Sequence, residues 1–282
     1  MLYHGKFSLL ATLLILACVA WEPVAGQNCG CPSNLCCSRF GYCGLGGDYC
    51  GSGCQSGPCY TASSSMAVLN DDIGSGSSVA SMVTPQFFNK IINKAGASCL
   101  GKRFYTRTAF LTASRSYPKF GTTGSQTIQK REIAAFFAHV TQETGHLCYI
   151  EEINGASKNY YDKSFTKYPS LSDKGYHGRG PLQISWNYNY GLAGDSIGFD
   201  GLRAPEMVAK NSVISFKTAF WFWMNNVHST ITSEKGFGET IRAINGAQEC
   251  NGKNPRAVQA RVKYYEDYCR QLGVSPGGNL SC

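Results

Sequence analysis

REIAAFFAHVTQETGHLCYIEE, residues 131–152, is the stretch on which the reading of this chain turns. Ile133, Phe136, Phe137 and Val140 recur at the i, i+3, i+4, i+7 spacing of one buried helix face. Glu143 continues that stripe, so its carboxylate points to the apolar side, where a charge is costly without a task or a partner. Gly145 offers a C-cap that ends the helix. A carboxylate at the negative end of a helix dipole, half removed from water, is in an environment that disfavours its ionised form. General-acid chemistry needs such a group. A carboxylate pair, Glu151 and Glu152, follows a short apolar run. Taken alone, the stretch favours a blander reading: a solvated helix-end Glu and an EE pair on a surface. The rest of the chain overturns it.

With 282 residues the chain has room for more than one domain. Lys6, the apolar run over 9–20 and small residues before Gln27 predict a signal peptide over residues 1–26 and an extracellular destination. No later segment is long and apolar enough to cross a bilayer, so no membrane partner is expected. The formal charge of +8 is carried by scattered Lys and Arg residues without a basic run, which argues for solubility and against nucleic acid. Fourteen cysteines in an exported chain predict disulfides. Cys18 leaves with the signal.

Eight of the cysteines, at 29, 31, 36, 37, 43, 50, 54 and 59, fall in a module over residues 27–59. A segment this short cannot bury a sufficient apolar core, so cross-links must hold it. Zinc competes as an explanation, but no His accompanies the cysteines and the adjacent Cys36 and Cys37 suit a metal poorly. The rings of Phe40, Tyr42 and Tyr49 cannot all hide in so thin a domain. Exposed on a rigid scaffold they form a stacking platform for sugar rings, with Ser38 as a polar anchor. Residues 60–78 are rich in Ser, Gly and Ala without periodicity, a flexible linker that tethers the module to a second domain.

Residues 79–282 read as mainly helical, with few and short strand signals. Helices are expected over 84–96, 105–114, 131–145, 212–227, 240–244 and 256–272. The segment 212–227, SVISFKTAFWFWMNNV, is apolar almost all round, which marks a central buried helix with Phe220 to Trp223 in the core. The segment 174–191, KGYHGRGPLQISWNYNYG, reads instead as a loop that combines Gly, Pro, amides and rings, the chemistry of a saccharide groove. His139, Glu143 and His146 lie close in sequence, but a di-iron site needs a second copy and further Glu ligands that are not found. No metal or cofactor is expected.

The motif CCSRFGYCGLGGDYC closely resembles hevein-type chitin-binding domains, whose ligand is β-1,4-linked N-acetylglucosamine. QETGHLCYIEE, GYHGRGPLQISWNYNYG, FWFWMNNVHS and IRAINGAQECNG together resemble plant family-19 chitinases, and the short interval from Glu143 to Glu152 resembles class IV. The resemblance implies a lysozyme-like helical catalytic domain and an inverting endochitinase that acts on fungal walls. No residue pattern sets an oligomeric state, and a monomer is the default expectation. Glu143 matches the general acid, Glu152 the base that activates water, and Ser185 the hydroxyl that holds the water. Gln183, Tyr188, Asn189, Asn245 and Lys217 match substrate-groove residues, and Glu249 and Arg261 match charged residues beside the catalytic pair. Disulfides 29–37, 31–43, 36–50 and 54–59 are implied for the module. For the large domain the remaining cysteines suggest 99–148 and 250–282, with Cys269 left as a buried thiol.

The chain departs from that pattern at several positions. Phe40 and Tyr42 stand where many relatives carry Trp, and Gln142 replaces the usual His before the acid. His177 replaces a common aromatic. Tyr161 and Ser170 stand where class IV relatives carry a disulfide pair, so the loop over 161–173 has one cross-link fewer. Asn279-Leu280-Ser281 forms a glycosylation sequon beside Cys282. These departures motivate a rival reading, a chitin-binding protein without catalysis. The intact Glu143, Glu152 and Ser185 favour the enzyme.

Overall fold

The computed structural model describes residues 79–158 and 160–282 and, toward the N-terminus, 29–31, 33, 35–38, 43–44, 50 and 53–59. The expected signal peptide, the linker and the ring residues Phe40, Tyr42 and Tyr49 lie outside these. The chain divides into two compact units, Met1–Ile73 and Gly74–Cys282.

In the first unit, β1 (Cys36–Cys37) pairs antiparallel with β2 (Cys43–Gly44). The Cys37 amide also donates to Ser56 O at 2.8 Å. Four disulfides join Cys29 to Cys37, Cys31 to Cys43, Cys36 to Cys50 and Cys54 to Cys59, the partners that the resemblance implies. Cys36, Cys37 and Cys50 are buried, so sulfur fills the interior of a segment too short for an aliphatic core. Ser38 is buried as well, and its carbonyl accepts from Gln55 Nε2.

The second unit is helical. Its helices are α1 (Val79–Met82), α2 (Pro85–Ile92), α3 (Gly101–Phe104), α4 (Arg107–Ser114), α5 (Gln126–Thr144), α6 (Asn187–Ile197), α7 (Met207–Lys210), α8 (Ser212–Asn226), α9 (His228–Thr232), α10 (Phe237–Glu249) and α11 (Pro255–Gln271). Local chemistry sets several of the starts. Thr84, Thr106, Ser125, Asn211 and Asn254 each accept a first-turn amide, and Pro85 and Pro255 open α2 and α11.

Helix α5 starts five residues before the expected position, because Ser125 caps a first turn that lacks apolar periodicity. Its expected single stripe is also too narrow. Every residue from Glu132 to Thr141 is buried, since α5 runs through the middle of the unit. It packs most extensively on α11, and α8 packs on α4. Phe110, Phe120, Phe136, Phe137, Phe216, Phe220 and Trp223 are fully buried in the joint core. Phe136 stacks on Phe220 at 5.0 Å between centroids. Each such ring contributes about 1.5–3 kcal/mol through the area it removes from water. The run 220–223 is core as expected, except that Phe222 is half-buried and reaches the groove described below.

Disulfides Cys99–Cys148 and Cys250–Cys282 tie the residues just before α3 to the segment after α5, and the C-terminal residue to the end of α10. Cys269 is a buried free thiol, and burial pushes its pKa up to about 12, so it is inert at neutral pH. Beside the first bridge, the Gly101 amide donates to Cys148 O at 3.0 Å. A methyl group on Gly101 would stand 2.0 Å from Leu147 O. Gly101→Ala is therefore expected to lower stability by about 1–3 kcal/mol, read as a lower midpoint in urea. An unchanged midpoint would mean that the two segments separate without cost.

Candidate active site

After Thr144 the chain makes a left-handed turn: Gly145, His146 and Leu147 have φ of 59°, 65° and 64°. Only glycine takes this region freely, and each L-residue there costs roughly 1–2 kcal/mol. The surroundings hold it. Thr144 Oγ1 accepts from the Leu147 amide at 2.8 Å, and Thr144 O accepts from the amides of Cys148 and Tyr149 at 2.9 Å each. The Cys99–Cys148 bridge and Gly101 brace the outer side. The turn reverses the chain, so Glu143 at the end of α5 and Glu152 in the following segment line the same groove. An unbroken helix would place residues nine apart on opposite faces.

Short backbone pairings place Glu152. Its amide donates to Gly178 O at 2.8 Å, while Glu151 bridges Arg179 and Arg179 bridges Ile184. Between these partners residues 180–183 form a tight turn, with Gln183 at φ 48° and its amide donating to Gly180 O. The turn delivers Gln183 and Ser185 into the groove, and the first turn of α6 adds Tyr188 and Asn189. The segment 174–191 is therefore only partly loop. It becomes helical at Asn187, where no capping side chain signals a start.

The groove has a volume of about 1100 Å³, and amides, carboxylates and rings line it. Ser185 Oγ donates to Gln183 O at 2.9 Å, and Asn189 Nδ2 to Ser185 O at 2.9 Å. Trp186 and Tyr188 of that lining lie nearly parallel with centroids 6.2 Å apart, and Phe165 stacks on Tyr188 at 4.2 Å. Phe165 belongs to the loop over 161–173. There the fully buried Asn187 accepts from the Asp162 amide and donates to Asp162 O and Tyr168 O. Three hydrogen bonds thus fasten a loop that carries no disulfide.

The two carboxylates have different partners. Glu143 Oε1 accepts from Arg261 Nη2. Arg261 is 1% exposed, and its Nε and Nη2 make a bidentate pair with Glu249, both at 2.7 Å. Asn245 Nδ2 donates to the same Glu249 at 2.8 Å from a kink in α10, where its φ is −144°. Burial raises the Glu249 pKa, but Arg261 and then Asn245 outweigh it and hold the carboxyl below the ordinary Glu range. Arg261 thus contacts both Glu143 and Glu249 through the same Nη2. Asn245 lines the groove, whereas Glu249, Arg261 and Lys217 stand outside its lining.

Lys158 Nζ and Tyr160 OH both donate to Glu152 Oε1, the latter at 2.9 Å, and the Gly178 amide donates to Oε2. Burial pushes Glu152 up, yet these three donors outweigh it and hold the carboxyl below the usual range. Lys158 and Tyr160 escaped the sequence reading because residues 154–160 carry no periodicity or motif. Glu151 pairs with Arg179 at 2.7 Å and His177 at 3.2 Å. A metal has little purchase near the acid. Both His139 nitrogens already face protein partners, Arg261 and Thr240.

Residues 82–235 and 227–282 match the family model described as chitinase class I, glycoside hydrolase family 19, and residues 23–59 match chitin recognition protein. Chitinase 5 of Oryza sativa subsp. japonica is 60% identical over 278 residues, covering 97% of this chain and 96% of that protein. Endochitinase EP3 of Arabidopsis thaliana is 59% identical over 277 residues, covering 98% and 97%. The crystal structure of the family GH19, class IV chitinase from Zea mays is 58% identical with a TM-score of 0.69, over 72% of this chain and 98% of that one. A groove that holds Glu143 and Glu152, on a helical fold shared at this identity, fixes the assignment: the chain belongs to the glycoside hydrolase family 19 chitinases.

Proposed function

We propose that this protein hydrolyses the internal β-1,4 links of chitin by inversion. The observation that carries the reading is the shared groove of Glu143 and Glu152, each with its own set of donors. Glu143 donates its proton to the glycosidic oxygen as the bond to the anomeric carbon breaks. Glu152, held ionised by Lys158, Tyr160 and Gly178, takes a proton from a water that attacks that carbon from the opposite face. A carboxylate offers about four lone-pair sites, so its three donors leave one for the water. Ser185 Oγ holds the water. Gln183, Tyr188, Asn189 and Asn245 line the path of the sugar chain, and Lys217, Glu249 and Arg261 support it from outside that lining.

Ser38, Phe40, Tyr42 and Tyr49 of the module over 27–59 hold insoluble chitin and raise the local concentration of the catalytic domain over 79–282. The extracellular space and action on fungal walls complete the proposal, with the chain acting as a monomer. Among the described residues no helix is long and apolar enough to cross a membrane.

Incubation with a soluble chitin hexamer tests the reading. Shorter oligomers from internal cleavage are expected. Retention on chitin without any turnover would favour the binding protein instead.

The pH profile follows from Glu152. Because its pKa is depressed, the base stays ionised as pH falls below the ordinary Glu value of about 4.3. Lys158→Met removes one donor, so the acid limb of kcat/KM should move to higher pH with little change at pH 7. A limb that stays in place would show that Tyr160 and Gly178 suffice.

A further inference from the structure

His139 lies one helical turn before Glu143, is fully buried, and has no task in the reaction above. Arginine has only donors, so the 3.0 Å contact from Arg261 Nη1 requires a lone pair on His139 Nδ1. The ring proton is then on Nε2, which donates to Thr240 Oγ1 at 2.9 Å. Thr240 in turn donates to Phe237 O at 2.6 Å, and this fixes the tautomer. The imidazole lies over the Phe237 ring at 5.0 Å and beside Trp223, so its plane is fixed too. Burial and the Arg261 charge hold its pKa well below the ordinary His value, and it remains an acceptor at mildly acidic pH. Arg261 is the charged group that faces it; Thr240, Phe237 and Trp223 are uncharged.

Glu249 grips one edge of the guanidinium, through Nε and Nη2. A group held by one edge can still tilt about that edge. The contact to Nη1 removes the tilt. We propose that His139 is a positioning residue whose Nδ1 lone pair fixes the third nitrogen of Arg261, and through it the placement of that charge on Glu143. The inference rests on Glu143 acting as the acid.

Three variants of the full chain test it on the soluble hexamer. His139→Leu should lower kcat roughly ten- to hundredfold with KM unchanged, the cost of a misplaced group beside the reacting atoms. His139→Gln, which offers both an acceptor and a donor, should restore most of the loss. Thr240→Val keeps the shape but frees the imidazole to turn its proton toward Arg261, and it should also lower kcat. Thr240→Val decides the matter if the Leu variant fails to fold. Wild-type kcat in either His139→Leu or Thr240→Val would overturn the proposal. So would a Gln variant that melts like the wild type yet is as slow as the Leu variant. Nitrogen NMR reads the tautomer without turnover: an unprotonated Nδ1 is expected, and a protonated one overturns the proposal. Absence of hydrolysis by the wild type, with the expected tautomer, would instead remove the acid role and leave the clamp standing.

Discussion

Glu143→Gln is expected to lower kcat on a chitin hexamer by about 10²–10⁴-fold, the usual contribution of a positioned general acid, and to leave KM close to the wild-type value. The amide has the size of the carboxyl and can still accept from Arg261 Nη2 through its oxygen, so the clamp and the fold persist. What it lacks is a proton to give to the glycosidic oxygen. Kinetics on the soluble hexamer, with thermal melting as a control, separate the two. Turnover within tenfold of the wild type would remove Glu143 from the acid's place.

Arg261→Leu acts on stability as much as on rate. The substitution strands Glu249, 5% exposed, and takes from Glu143 its positive partner. Breaking one side of a buried ion pair costs about 3–5 kcal/mol, because the remaining charge stays buried without compensation. For a unit of this size the thermal midpoint should fall by about 6–20 °C. Arg261→Lys should rescue little, since an ammonium cannot reproduce the bidentate fork. The same cluster gives a pH signature. Glu249 titrates below its unfolded value in the native state, so its contribution is complete above the ordinary Glu pKa. It is lost as pH falls through the depressed native value. The Leu variant should lack that acid-dependent step. A variant that melts with the wild type would show that Glu143 and Glu249 do not depend on the guanidinium.

Where periodicity was strong, the sequence was legible. The stripe from Ile133 to Val140 marked the middle of α5, the αL glycine at 145 marked its end, and the apolar run of α8 marked the core. The first turn of α5 was missed because QTIQK has no apolar rhythm, and only the Ser125 cap sets it. The start of α6 was missed for a related reason: Trp186 at φ 77° enters the helix without a side-chain cap, inside a segment rich in Gly and aromatics. Four-residue helices such as α1, α3 and α7 carry too few residues for any period to register.

At the site, the family resemblance named both carboxylates, Ser185 and Arg261. Periodicity could show only that Glu143 shared a face with Phe136 and Val140. It could not show that α11 brings a guanidinium from 118 positions away to that face. His139 drew notice in the sequence only as a metal ligand to be rejected. Its contact with Arg261 spans 122 positions and exists only once α5 and α11 pack. Lys158 and Tyr160 depend likewise on the path of a segment that no local rule prescribes.

Stereochemistry tests the central claim most directly. Proton NMR during the first minutes of hexamer hydrolysis, before mutarotation, reads the anomer at the new reducing end. Attack by a water that Glu152 activates, on the face opposite the leaving oxygen, predicts the α-anomer. Initial release of the β-anomer would contradict the account, because it requires two displacements and a covalent intermediate in place of a single one by water.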